Sequence, residues 1–134
     1  MNQYTLSTAK KQIIYQDNYD KGKAFEQYII NLFNQHSFHR KKWRKSEKFT
    51  DRFSSIDHSN PDLEMELVFT GAKKYRFAVE CKWRKEFKAG SMTWANDSQI
   101  CSYQIFQSQA RMPVFVAIGI GGEPSSPEKL FVTP

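Results

Sequence analysis

The run Asn60-Pro61-Asp62-Leu63-Glu64-Met65-Glu66-Leu67-Val68-Phe69-Thr70-Gly71-Ala72-Lys73-Lys74-Tyr75-Arg76-Phe77-Ala78-Val79-Glu80-Cys81-Lys82-Trp83 decides how this chain folds. Two apolar-rich runs flank Thr70-Gly71-Ala72-Lys73-Lys74, which predicts a β-hairpin. Side chains alternate between the two faces of a strand. On the second run Phe77, Val79 and Cys81 therefore share one face, and Ala78, Glu80 and Lys82 share the other. On the first run Leu63, Met65 and Leu67 share a face, opposite Asp62, Glu64 and Glu66. A carboxylate and an ammonium at the end of a largely apolar strand need a reason, because buried charges are costly unless paired or bound to a metal.

Pairing the two runs brings Asp62 close to Glu80 and Lys82. Neighbouring carboxylates repel, and one pKa rises unless a cation sits between them. Hard oxygen donors of this kind suit Mg²⁺ or Mn²⁺, which commonly bind through one or two carboxylates plus water and phosphate. An adjacent lysine can hold or deprotonate a water and neutralise charge on a phosphate. Glu64 reads as an auxiliary ligand or, better, as an exposed carboxylate farther along the strand.

These residues resemble the signature of the PD-(D/E)XK, or restriction-endonuclease-like, nuclease superfamily. Pro61-Asp62 and Glu80-Cys81-Lys82 match its two halves, and Gly22-x-x-Phe25-Glu26 is similar to the first-helix motif of its archaeal Holliday-junction-resolvase and Mrr-type branches. The resemblance covers roughly Tyr19 to Gly122. It implies an α/β fold with an αβββαβ core, a mixed β-sheet flanked by helices, and Mg²⁺- or Mn²⁺-dependent cleavage of DNA. Asp62, Glu80 and the main-chain carbonyl of Cys81 would then hold the metal, and Lys82 would orient or activate the attacking water. Glu26 would face the site rather than solvent. Gln99, in the first turn of the second helix, would position substrate or water; on its chemistry alone it is an ordinary exposed glutamine.

The chain has 134 residues, which suits one domain with a real core. It lacks a long apolar run or a signal-peptide pattern at Met1-Asn2-Gln3-Tyr4-Thr5, so no membrane partner is expected. Two cysteines in different contexts read as reduced thiols of a cytoplasmic protein. The net charge of +6 favours a polyanionic partner, nucleic acid first and DNA within it, although surplus lysines also merely aid solubility.

Residues 1–17 read as a polar tail or short helix, and residues 18–134 as the nuclease-like domain. Phe25, Ile29, Leu32 and Phe33 recur at helical spacing, predicting an amphipathic helix over about Asp20 to Gln35, capped by Asp17, Asn18 or Asp20. The following run from His36 to Phe49 interleaves cations with aromatic rings. Arg40, Lys41, Lys42, Arg44 and Lys45 are candidate phosphate contacts there, or equally the lysines of a solvated edge strand with Phe38 or Trp43 turned to the core. His36, His39 and His58 lack a zinc-ligand spacing. Thr50 to Asn60 is a polar loop whose Asp57 is an alternative acid to Asp62.

After Lys82 a basic, aromatic connection with Arg84 and Lys85 is placed near the substrate, and its Trp94 is a substrate contact or a core plug. Asn96, Asp97 or Ser98 caps a second helix over about Asp97 to Ala110, on which Tyr103 is read as packing. Val114 to Ile120 is a continuous apolar run, as in a strand buried on both faces. Lys129 to Thr133 forms a last, edge strand. The rival to an endonuclease is a non-catalytic module of the same fold that binds nucleic acid or protein, with Glu80 and Lys82 as a salt bridge. An RNA-directed enzyme is a third reading. A homodimer, or fusion to a further domain, stays open.

Overall fold

In the computed structural model, which describes residues 3–44, 60–71, 73–91 and 93–134, helices enclose a mixed sheet. The elements are α1 (Gln3–Leu32), β1 (Phe38–Trp43), β2 (Leu63–Val68), β3 (Lys74–Arg84), α2 (Asp97–Ala110), β4 (Val114–Ile120) and β5 (Lys129–Thr133). The sheet order is β1-β2-β3-β4-β5. Among the described strands only β3 and β4 run parallel; the other neighbours are antiparallel. A parallel pair needs a crossover, and α2 supplies it. The α/β class and the expected element order are both observed.

The hairpin forms where the alternation placed it, with Leu63 opposite Val79 and Val68 opposite Lys74. Its apolar face packs on α1: Phe25 and Ile29 join Leu63, Met65, Val79 and Ala117 in one core. Phe25 lies so close to Gly119 that a Cβ there would stand 2.5 Å from the ring. On the other face, Ala78, Tyr103, Met112 and Val114 form a second core beneath α2. β4 separates the two cores, which explains its unbroken apolar sequence.

α1 differs from expectation. It begins at Gln3 and passes the anticipated boundary at residue 17 without a break. Asp17, Asn18 and Asp20 are therefore interior to the helix and cap nothing. Asp17 instead pairs with Lys21 at 3.0 Å, and Gln16 donates to Asp20 at 2.9 Å. Such pairs four residues apart support a solvated helix without any packing.

β1 carries a bulge between Arg40 and Lys42. Phe38 sits opposite Leu67 and Trp43 opposite Leu63, so both aromatic rings turn to the α1 side. α2 opens with a capping box: Gln99 N–H donates to the Asn96 side chain, and Asn96 N–H donates to Gln99 Oε1. Trp94 stacks on Tyr103 with ring centres 6.3 Å apart, which makes it part of the packing. Cys81 and Cys101 are unpaired. Among the described residues, no helix is long and apolar enough to cross a membrane.

Candidate functional site

β2 ends its pairing with β3 at Leu63–Val79, so β3 runs on past the start of β2. Asp62 fills that step. Its Oδ2 accepts the Cys81 N–H at 2.9 Å. Its carbonyl accepts from Arg44 N–H at 2.8 Å, which ties the end of β1 to the same corner. In a strand, the N–H and C=O of one residue point to the same edge. The Cys81 carbonyl thus shares the edge that meets Asp62.

Glu80, the preceding residue, is buried and stands within hydrogen-bonding reach of Asp62. Lys82 Nζ lies 3.4 Å from Glu80 Oε1. Glu26 comes in from α1, is 6% exposed, and also reaches Asp62. Three carboxyls therefore form a row, Glu26–Asp62–Glu80, and an amine closes each end: Lys23 Nζ is 2.8 Å from Glu26 Oε2. Trp43 Nε1 donates to the same Glu26 oxygen at 3.4 Å.

Too many carboxyls for the local positive charge makes some of them hold protons. Burial first, and then the Glu80 charge, pushes the Asp62 pKa up to about 8. Burial first, and then Asp62, pushes Glu26 up to about 7, against the opposing pull of Lys23. Burial likewise raises the Cys81 thiol, which makes it a poor nucleophile.

Sequence reasoning assigned Tyr103 to packing alone. Its hydroxyl reaches Glu80, and burial followed by the Glu80 charge raises its pKa. Glu80 thus has the Tyr103 hydroxyl near it on one side and Lys82 Nζ at 3.4 Å on another. The helical spacing of Tyr103 signalled packing, which is also true, but gave no hint of the hydroxyl's target.

Other anticipated residues lie elsewhere. Gln99 Oε1 is occupied by the capping box at the start of α2. Glu64 is not exposed as expected but 3% accessible, because cations close over it: Arg44 pairs with it directly, Arg76 lies at 3.5 Å and Lys42 at 3.8 Å. Such pairing is what lets a charge stay buried. Arg44 also donates to the Pro61 carbonyl at 2.7 Å and is an internal brace rather than a free phosphate contact. Arg40 lies over the Trp43 ring at 5.0 Å, and Lys41 pairs with Glu66 at 3.5 Å. Arg84 and Lys85 are exposed at the C-terminal end of β3, two and three residues past Lys82. Lys45, Asp57 and His58 fall outside the described residues.

Among the described residues, no three His, Cys, Asp or Glu side chains are arranged as a ready-made metal cage. The donors that meet here are carboxylate and carbonyl oxygens, the chemistry hard divalent cations prefer. No family model, curated protein or solved structure matches the chain.

Proposed function

We propose that this chain is a metal-dependent endonuclease that hydrolyses DNA phosphodiester bonds, built on the αβββαβ core of the PD-(D/E)XK superfamily. The observation that carries the reading is the meeting of Asp62, Glu80 and Lys82 at one corner of the sheet, with Lys82 3.4 Å from Glu80. The strand order, with its single parallel β3–β4 pair bridged by α2, supports the same core.

Asp62, Glu80 and the Cys81 carbonyl would hold Mg²⁺ or Mn²⁺. The protons retained by Asp62 and Glu26 mark where positive charge is wanted. When bound, the ion would supply Lewis acidity and a nucleophilic water. Lys82 would orient that water and balance charge on the phosphate. Tyr103 holds Glu80 in place, and Glu26 completes the acidic row under the control of Lys23. The decisive experiment incubates supercoiled plasmid with the protein in Mg²⁺, Mn²⁺ and EDTA. Cleavage in the metals but not in EDTA is expected. No cleavage under any of the three conditions would refute the enzyme reading.

A binding module is the second reading. The Glu80–Lys82 ion pair and the lack of a ready-made metal cage among the described residues favour it. Calorimetric titration separates the two: DNA binding with no Mg²⁺ uptake at millimolar concentration selects the module. Parallel digests of RNA and DNA settle the choice of nucleic acid.

A further inference from the structure

Among the described residues, α2 covers only half of its face of the sheet. α2 packs over Ala78 and Val114, on β3 and β4. The β1–β2 half of that face carries charge instead. Glu64 and Glu66 point there from β2 and are 3% and 8% exposed. Around them stand Lys41, Lys42 and Arg76, whose side chains are 43%, 60% and 45% exposed, with Arg44 tucked beneath. The acids are inside and the cationic ends are outside, so solvent meets a positive surface. The two carboxylates hold those ends in fixed places across three strands, at 3.5 Å for Lys41, 3.8 Å for Lys42 and 3.5 Å for Arg76.

The strip also has a direction. Glu66 and Glu64 on β2 lead back to Asp62, just before the strand, so it begins beside the acidic row and runs about 13 Å away from it, at roughly 3.3 Å per residue. Duplex DNA carries one charge per about 1.7 Å of axis. A strip of that length spans the phosphates next to one placed at Asp62 and Glu80.

We infer that Lys41, Lys42 and Arg76 form the track that carries a nucleic-acid backbone to the Asp62–Glu80 corner, through its phosphates and without reading bases. This rests on the nuclease-like reading for its partner but not on cleavage. Arg76 belongs to the track although in sequence it follows Lys73 and Lys74 on the second strand of the hairpin, away from the basic run of β1. Arg44 does not, because its guanidinium is spent on Glu64 and Pro61.

The test measures binding of a fluorescein-labelled 20-base-pair duplex by anisotropy, in EDTA, across a salt series. The triple variant Lys41→Ala/Lys42→Ala/Arg76→Ala is compared with a charge-matched control, Lys10→Ala/Lys11→Ala/Lys129→Ala, whose lysines are exposed on α1 and β5. The track variant should lose on the order of 30-fold in affinity at 0.1 M salt. Its slope of log K against log salt should fall by about 2 to 3, near one per phosphate contact removed. The control should stay within about 3-fold of the parent. If the triple variant does not fold by circular dichroism, Lys42→Ala alone, the most exposed of the three, should lower the slope by about 1. An unchanged slope, equal losses in both variants, or no DNA binding by the parent would overturn the track. Plasmid cleavage with an unchanged slope would leave the enzyme and remove the track; a lowered slope without cleavage would do the reverse.

Discussion

Asp62 accepts the backbone N–H of Cys81 at 2.9 Å, and this bond joins the two halves of the motif across the end of the hairpin. It also leaves the Asp62 carboxyl between Glu26 and Glu80, where its burial and the Glu80 charge raise its pKa to about 8. The folded protein therefore binds protons that the unfolded chain has released between about pH 4 and pH 8. Metal-free protein should lose stability as pH rises through that window. Asp62→Asn removes one such proton and keeps an acceptor for Cys81, so its melting temperature should fall less between pH 5 and pH 8. A parent melting temperature that rises over the same range would contradict the proton-holding row.

Lys82 touches Glu80 and belongs to neither core cluster, so its removal leaves both cores packed. Lys82→Ala should retain its melting temperature within a few degrees and bind DNA as the parent does. Plasmid cleavage should drop by about 10² or more, the usual worth of a positioned proton-transfer group. Cleavage at the parent rate would remove Lys82 from the mechanism.

Tyr103→Phe keeps the ring stacked on Trp94 and deletes only the hydroxyl directed at Glu80. A hydrogen bond to a charged group is worth about 1.5–3 kcal/mol, so roughly a 10-fold rise in the Mg²⁺ concentration needed for half-maximal cleavage is expected. DNA affinity in EDTA should not move. A variant with unaltered metal dependence would reduce Tyr103 to packing.

Gly119→Ala would push a methyl group into the Phe25 ring, on the helix that carries Glu26. Overpacking of this kind costs about 1–3 kcal/mol. Chemical denaturation should show the loss, and Phe25→Leu in the same chain should return part of it. A fully stable Gly119→Ala protein would mean that α1 is free to shift on the sheet.

The fold was legible where local pattern and long-range packing agree. Alternation gave the hairpin, an unbroken apolar run gave β4, and Phe25 and Ile29 gave the buried turns of α1. The first half of α1 was hidden because its helix buries little: Ile13 and Ile14 are 69% and 61% exposed, so no apolar stripe announces it. The meeting of Asp62, Glu80 and Lys82 followed from register alone. The burial of Glu64 did not, since Arg44 reaches it from just past β1 and Arg76 from β3. Gln99 had the right place in the helix for either role, and the backbone of Asn96 claimed it.

The irregularity between Arg40 and Lys42 has a consequence for how this chain tolerates change. Phe38 and Trp43 are five residues apart, an odd interval that in a regular strand would send them to opposite sides. One surplus residue resets the parity, and the Trp43 indole arrives at Glu26. Removing Lys41 alone would leave an even interval of four, so a regular strand would still turn Trp43 towards Glu26; what would go is the bulge and the Lys41 contact with Glu66. The strand thus holds one residue more than the facing of Trp43 requires, and that spare residue sets where the Lys41 amine falls beside Glu66.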